Sequence, residues 1–170
     1  RGLEVTPEFR LLAELLGVRD PAHVVFTKNA TEALNLVIQG VLAGGGHAVI
    51  TSLEHNSVWR PLEALSRKTG VTYSVVPCGP DGSLDVSLIR DALTRDTRLI
   101  VCTHASNVMG ALLPIAAVAE LAADGGIPLL VDAAQTAGRY ALDPEGTGIQ
   151  YLAFTGHKEL FGPQGTGGLY

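Results

Sequence analysis

A lysine and an aspartate in this chain each follow an apolar stretch and together have the chemistry to hold an aldehyde cofactor. Lys158 ends the segment 153–158 (AFTGHK), and Asp132 ends the segment 129–132 (LLVD). A lysine amine condenses with an aldehyde to a Schiff base, and a buried carboxylate keeps a pyridine nitrogen protonated. The pair predicts pyridoxal 5'-phosphate as cofactor, with Lys158 as its covalent attachment and Asp132 as the partner of the ring nitrogen.

Each of these two residues also has an ordinary interpretation. Most lysines are solvated surface residues, and an aspartate at the end of a strand often caps the next helix. A glycine-rich segment, 162–168, follows Lys158 and indicates a tight turn beside a pocket. We therefore predict a desolvated Lys158, since desolvation favours the neutral, nucleophilic amine.

The segment 29–32 (NATE) predicts a phosphate site at the start of a helix. Asn29 and the glutamate three residues later form a capping pattern, which by itself indicates only a well-capped helix. A helix start also presents free amides and the positive end of the helix dipole, which bind phosphate. Ala30 and Thr31 lie at this start, and Thr155 and His157 supply further donors from the other side.

Three more residues are candidates for contacts with the cofactor ring. His55 follows an apolar strand and could stack on the ring and transfer protons, although a lone loop histidine is more often a surface residue. Ala134 is small enough to lie against a flat ring, and Gln135 could donate a hydrogen bond to its phenolate oxygen.

The chain has none of the motifs HExxH, CxxC, GxxxxGK[ST], GxGxxG after a first strand, or GxSxG, so we predict no metal site, nucleotide loop or hydrolase nucleophile.

Alternating strands and helices predict an α/β fold with a mostly parallel sheet covered on both faces. Ligands of such sheets bind beyond the carboxyl ends of the strands, and every candidate named above lies there. The predicted strands are 23–27, 47–51, 71–76, 98–103, 128–132, 151–155 and 166–170. The predicted helices are 7–17, 30–43, 57–70, 85–95 and 114–124.

The composition excludes several classes of protein. The chain has 170 residues, 46% of them hydrophobic and 17% charged, with a net charge of −5. This predicts one folded domain without a basic surface for nucleic acid, and no apolar run is long enough to cross a membrane. Cys78 and Cys102 stand apart in apolar strands, which favours a reducing, cytoplasmic location.

The candidate segments, taken in order, resemble the class V aminotransferase family, and most of all its cysteine desulfurase and selenocysteine lyase branch. The resemblance covers nearly the whole chain and is carried by segments 27–35, 53–57, 105–110, 131–135 and 154–158. It implies the three-layer α/β/α, fold-type I large domain of a pyridoxal-phosphate enzyme. Residues 1–170 would then be one large-domain fragment lacking the small C-terminal domain and the extreme N-terminus. It also implies a homodimer.

The resemblance assigns a role to each candidate residue. Lys158 and His55 would be catalytic, with Lys158 forming the Schiff base and His55 stacking on the ring. Asn107 would lie near cofactor and substrate. The remaining cofactor contacts would come from Ala30, Thr31, Asp132, Ala134, Gln135, Thr155 and His157.

The function implied is conversion of L-cysteine to L-alanine, with sulfur transferred to an enzyme cysteine outside this chain and from there to an acceptor protein. Cys78 and Cys102 do not match that cysteine. Glu159, directly after the lysine, departs from the small or neutral residue expected there. The alternatives are an aminotransferase, a selenocysteine lyase, another pyridoxal-phosphate lyase or epimerase acting on a small amino acid, and a non-catalytic scaffold.

Overall fold

A seven-stranded mixed sheet organises residues 5–170, which are the residues described by the computed structural model. The strand order is β1-β7-β6-β5-β4-β2-β3. Six strands run in the same direction, and β7 runs opposite to them. The strands are β1 (Val25–Thr27), β2 (His47–Thr51), β3 (Thr72–Val76), β4 (Thr97–Thr103), β5 (Leu129–Asp132), β6 (Tyr151–Thr155) and β7 (Gly167–Leu169).

Helices cover both faces of this sheet. They are α1 (Pro7–Leu16), α2 (Ala30–Val41), α3 (Asn56–Thr69), α4 (Val86–Ala92), α5 (Ile115–Asp124) and α6 (Pro144–Thr147). One core cluster joins α2 and α3 to the sheet, and a second joins α1, α4 and α5 to it. In β5, Leu130 belongs to the first cluster while Leu129 and Val131 belong to the second. Successive strand residues point to opposite faces, and helices cover both faces. Every residue of β2 and β5 is therefore buried. The predicted three-layer α/β/α architecture is confirmed.

The predicted elements differ from the observed ones mainly at their ends. The first observed strand, β1, starts two residues later than predicted, because Pro21–His23 form a 3₁₀ turn in which the amide of Ala22 donates to the side chain of Asp20. The fourth predicted helix, 85–95, is shorter, since α4 ends at Ala92. Helix α6, a single turn that begins after Asp143, was not predicted from the sequence.

Gly167, the first residue of β7, lies where no side chain fits. A Cβ atom at this position would lie 2.6 Å from the Cα of Asn29 and 2.7 Å from the carbonyl oxygen of Phe154. Both contacts are backbone atoms of neighbouring segments, so neither can move aside cheaply. The glycine lets the capping residue of α2 and the backbone of β6 approach β7 closely.

We expect Gly167→Ala to lower the free energy of unfolding by about 1–3 kcal/mol, the usual cost of overpacking. Gly40→Ala is the matched control, because the new Cβ at this position in α2 would have no atom within 4 Å apart from its chain neighbours and the backbone of its own helix. The control should gain about 0.5–1 kcal/mol from helix propensity. Thermal unfolding of the two variants checks this, and equal melting temperatures would contradict the packing argument.

Candidate active site

A cavity of about 190 Å³ opens at the carboxyl ends of the parallel strands. All ten residues predicted for the site line it: Ala30, Thr31, His55, Asn107, Asp132, Ala134, Gln135, Thr155, His157 and Lys158. Four further residues line the cavity and were not among the predicted site residues: Asn29, Ser57, Thr103 and Ala105. Two of them were predictable, because Thr103 ends a predicted strand at this edge and Ala105 follows the same strand.

The start of α2 forms one end of the cavity. Oδ1 of Asn29 accepts a hydrogen bond from the amide of Glu32 at 2.9 Å, and the Glu32 carboxylate accepts one from the amide of Lys28 at 2.7 Å. This double cap fixes the first turn of the helix. Ala30 and Thr31 supply the next amides of that turn, and both residues line the cavity. The arrangement offers amides, a hydroxyl and the positive end of a helix dipole to an anion.

The end of β6 contributes polar groups to the same end of the cavity. Thr155 is buried, and its Oγ1 hydrogen-bonds with Nδ1 of His157 at 2.9 Å and donates to the carbonyl oxygen of Thr166 at 3.3 Å. β1 and β6 flank β7, with Thr27 and Thr155 both paired in register with Gly167. The α2 start, which follows β1, and the 155–157 segment therefore face one cavity from two sides.

Asp132 places a carboxylate at the last position of β5. It is only 5% exposed, and its Oδ1 accepts a hydrogen bond from the amide of Ala134 at 2.9 Å. Burial raises the pKa of Asp132, while the Ala134 amide and the nearby His55 and Lys158 side chains favour its charged form. A buried carboxylate of this kind is stabilised by a cationic partner in the cavity.

His55 lies at the junction between β2 and α3. Its Nδ1 accepts a hydrogen bond from the amide of Ser57 at 3.1 Å and also contacts the Ser57 hydroxyl, so the imidazole caps α3. The ring is exposed on the side of the cavity. An imidazole held at one nitrogen by a helix amide presents its flat face and its other nitrogen to a ligand.

Two turns bring the remaining predicted residues to the cavity. Asn107 lies in a turn after β4 in which the Ser106 hydroxyl accepts hydrogen bonds from the amides of Val108 and Met109. Ala134 and Gln135 lie in a turn after β5 that is closed by the bond from the Thr136 amide to the Ala133 carbonyl oxygen, at 3.0 Å. Ala134 and Gln135 are half-buried, whereas Asn107 is exposed.

Lys158 lines the cavity, but its side chain is exposed. The prediction that Lys158 is desolvated is therefore wrong for this structure. The reason is that the turn after β6 projects the residue from the sheet edge, with its carbonyl oxygen accepting from the amide of Phe161 at 2.9 Å. Lys158 nevertheless lies close enough to Asp132 for its positive charge to favour the aspartate's charged form.

Glu159 lies outside the set of cavity-lining residues. Its carboxylate pairs with Arg139 at 3.6 Å, and the Cβ of a side chain at Gly138 would meet the Glu159 carbonyl oxygen at 2.8 Å. The turn that carries Lys158 thus packs directly on the turn that follows Asp132. This contact accounts for the charge that the sequence analysis left unexplained.

Glu54, directly before His55, is a buried carboxyl group that the sequence analysis did not select. It is 7% exposed, and its Oε1 accepts hydrogen bonds from the Thr51 hydroxyl at 2.7 Å and the Thr103 amide at 2.8 Å. Burial, reinforced by the negative charge of Asp132, raises the pKa of Glu54 to about 8, although both hydrogen bonds oppose the shift. At neutral pH this carboxyl group is predominantly uncharged.

The raised pKa of Glu54 predicts a pH-dependent stability. Its folded-state pKa is above the ordinary value of 4.5, so its contribution is fully present below about pH 4.5 and is lost as pH rises through about 8. We expect the free energy of unfolding of the wild type to fall, relative to Glu54→Gln, by on the order of a few kcal/mol across this window. Chemical denaturation of both proteins from about pH 5 to pH 9 measures this difference. Parallel pH profiles would contradict the assignment.

Two further structural observations bear on the sequence expectations. Within residues 5–170, no group of three or more histidine, cysteine, aspartate or glutamate side chains is arranged to hold a metal ion. In the same part of the chain, no helix combines the length and the apolar character needed to cross a membrane.

The sequence matches the model of the family described as aminotransferase class V over residues 9–170. The chain therefore belongs to the class V aminotransferase family, and the resemblance noted from its motifs is confirmed.

Several proteins to which this chain is similar are named as cysteine desulfurases. A probable cysteine desulfurase of Halobacterium salinarum is 37% identical over 94% of this chain and 39% of its own length, and one of Methanothermobacter thermautotrophicus is 40% identical over 87% and 37%. Among solved structures, SspA in complex with cysteine has a TM-score of 0.90 at 30% identity, covering 95% of this chain and 47% of that one. The cysteine desulfurase CsdA of Escherichia coli has a TM-score of 0.89 at 29% identity, covering 95% and 41%. The chain thus spans about two fifths of the length of the curated relatives it matches.

Proposed function

We propose that this chain is the cofactor-binding domain of a pyridoxal-phosphate-dependent cysteine desulfurase, which converts L-cysteine to L-alanine and passes the sulfur to a cysteine. The observation that carries the proposal is a single cavity that combines Lys158, Asp132 and a capped helix start. The names of the relatives support cysteine as the substrate.

The donor set of the cavity fits the chemistry of pyridoxal phosphate. At one end, the α2 start with Ala30 and Thr31, together with Thr155 and His157, would hold the phosphate. Buried Asp132 would pair with the protonated pyridine nitrogen, and Lys158 would supply the amine for covalent attachment. His55 would stack on the cofactor ring, and Ala134 would also lie against the ring. Gln135 would donate a hydrogen bond to the phenolate oxygen of the ring.

When bound, pyridoxal phosphate supplies an electron sink for the α-carbon of an amino acid. The residues of this chain would supply the charge, the proton-transfer groups and the substrate contacts around it. Asp132 lies in a buried, low-dielectric position, where a cation on the cofactor ring would favour its charged form and would be strongly attracted to it. Lys158 and His55 both contribute nitrogen atoms at the cavity that can accept or return a proton during the reaction. Asn107 would help to orient the substrate.

Neither cysteine of this chain is placed to accept the sulfur. Burial raises the pKa of the Cys102 thiol well above its ordinary value, which disfavours the nucleophilic thiolate. Cys78 is half-buried beyond the end of β3 and does not line the cavity. We infer that the sulfur-accepting cysteine lies outside residues 1–170. A homodimer, a cytoplasmic location and an acceptor protein for the sulfur belong to the same proposal.

Product analysis tests this function directly. The full-length natural protein is incubated with L-cysteine, pyridoxal phosphate and a thiol, and alanine and sulfide are quantified together. Equal amounts of alanine and sulfide support the desulfurase. Pyruvate and ammonia with sulfide would replace it with a lyase, and absence of cysteine turnover would favour an aminotransferase acting on another amino acid.

A further inference from the structure

We propose that Glu54 is a positioning residue that fixes His55 at the cavity by tying the end of β2 to the end of β4. The inference rests on the proposed cofactor site and adds to it a residue that does not itself line the cavity. Two sets of contacts and one unpaired carboxyl oxygen carry it.

The first set is the span of the Glu54 side chain across two strands. One oxygen, Oε1, accepts from the hydroxyl of Thr51 in β2 and from the amide of Thr103 in β4, 49 residues apart from Glu54 in sequence. Thr103 in turn pairs in register with Asp132 of β5. A single carboxyl oxygen therefore connects the segment that carries His55 to the end of β4, beside Asp132.

The second set fixes the main chain of Glu54. Its amide donates to the Thr51 carbonyl oxygen at 3.4 Å, and its own carbonyl oxygen accepts from the indole Nε1 of Trp59 at 3.0 Å. His55 follows immediately, and its imidazole is bonded to Ser57 alone among residues 5–170. Because the exposed ring has so few contacts of its own, its placement depends on the anchored residue before it.

The third observation concerns the other carboxyl oxygen. Oε2 is buried and has no hydrogen-bond partner among residues 5–170. A carboxylate with one unbonded oxygen close to Asp132 would be strongly disfavoured, whereas the uncharged acid keeps Oε1 as the acceptor and carries at Oε2 a neutral hydroxyl, which costs less to bury than a charge. Glutamine offers the same acceptor with the same shape and is therefore the matched conservative variant.

The test compares Glu54→Ala and Glu54→Gln in the full-length protein, using pyridoxal phosphate itself as the probe. Cofactor affinity and the circular dichroism of the bound cofactor report the site. The fluorescence of Trp59, the only tryptophan in residues 1–170, reports the anchored segment. We expect Glu54→Ala to weaken affinity on the order of tenfold and to change both spectra, with Glu54→Gln restoring wild-type values.

A matched control separates positioning from general destabilisation. Thr97→Val removes a buried hydroxyl that bonds His47 at 2.9 Å, between the same two strands but at their opposite ends. It should lower the melting temperature without changing cofactor affinity or dichroism. A double mutant adds a further condition: Glu54→Ala in a His55→Ala background should cause no additional loss of affinity, because Glu54 acts through His55.

Each outcome decides the question. Wild-type affinity and dichroism in Glu54→Ala, full additivity with His55→Ala, or a Glu54→Gln variant as impaired as Glu54→Ala would overturn the inference alone. A wild type that takes up no pyridoxal phosphate would overturn both the inference and the proposed function. If Glu54→Ala does not fold, Glu54→Asp replaces it, since the shorter side chain cannot span to Thr103 and should show the same cofactor defect.

Discussion

Lys158→Ala should abolish turnover of L-cysteine by the full-length protein, with a loss on the order of 10²–10⁴-fold or more. Lys158 is the lysine that lines the cavity, and the proposed reaction uses its amine both for attachment of the cofactor and for proton transfer. Lys158→Arg keeps the positive charge but cannot condense with an aldehyde, so it should be equally inactive. Steady-state assays of alanine and sulfide measure both variants.

Lys68→Ala is the control for this experiment. Lys68 is exposed in the last turn of α3 and does not line the cavity, so its loss should leave turnover unchanged. Borohydride reduction and peptide mass spectrometry should place the pyridoxyl group on Lys158 in the wild type. Normal turnover in Lys158→Arg, or a label on another lysine, would refute the assignment.

Asp132→Asn should lower kcat/KM by roughly 10²–10⁴-fold, the equivalent of about 3–5 kcal/mol for the loss of one partner of a buried ion pair. Asparagine can still accept the hydrogen bond from the Ala134 amide, so the turn after β5 should persist. The variant removes only the charge. Kinetic assays with saturating pyridoxal phosphate measure this effect separately from any loss of cofactor binding.

The same variant should affect stability in the opposite direction. Because burial raises the pKa of Asp132, its charge costs folding free energy when no cation neutralises it, so cofactor-free Asp132→Asn should melt at a higher temperature than the wild type. Asp85→Asn is the matched control: Asp85 also accepts from an amide two residues ahead, that of Ser87, but it is exposed at the start of α4. It should lose at most about 1 kcal/mol of stability and no activity. An active Asp132→Asn enzyme would exclude the proposed role.

The sequence contained enough to predict which residues meet in the cavity. Asp132 and Thr155 each end a buried apolar strand, and parallel strands bring their carboxyl ends to one edge. Local patterns of apolar and turn residues therefore determine the approximate site. The capped start of α2 was predictable for the same reason, because Asn29 and Glu32 interact over three residues.

Features that depend on distant contacts were not predictable. The role of Glu54 depends on the amide of Thr103, 49 residues away, and nothing near Glu54 in sequence indicates that partner. The antiparallel direction of β7 depends on pairing with both β1 and β6, and its short Gly-Gly-Leu sequence carries no signal of direction. The exposure of Lys158 depends on how the 158–161 turn projects from the sheet. Each is decided by tertiary packing rather than by local propensity.

The reversed strand β7 also determines the width of the proposed phosphate site. The two segments that would bind the phosphate follow β1 and β6. One strand, β7, separates β1 from β6, so the distance between these two strands is about twice the 4.7–4.9 Å strand spacing. β7 begins at this edge with Gly167, which places no side chain between them, and the connection 156–166 from β6 enters β7 here. An enzyme that keeps this sheet order keeps the same anion-sized gap, whatever substrate its other segments come to select.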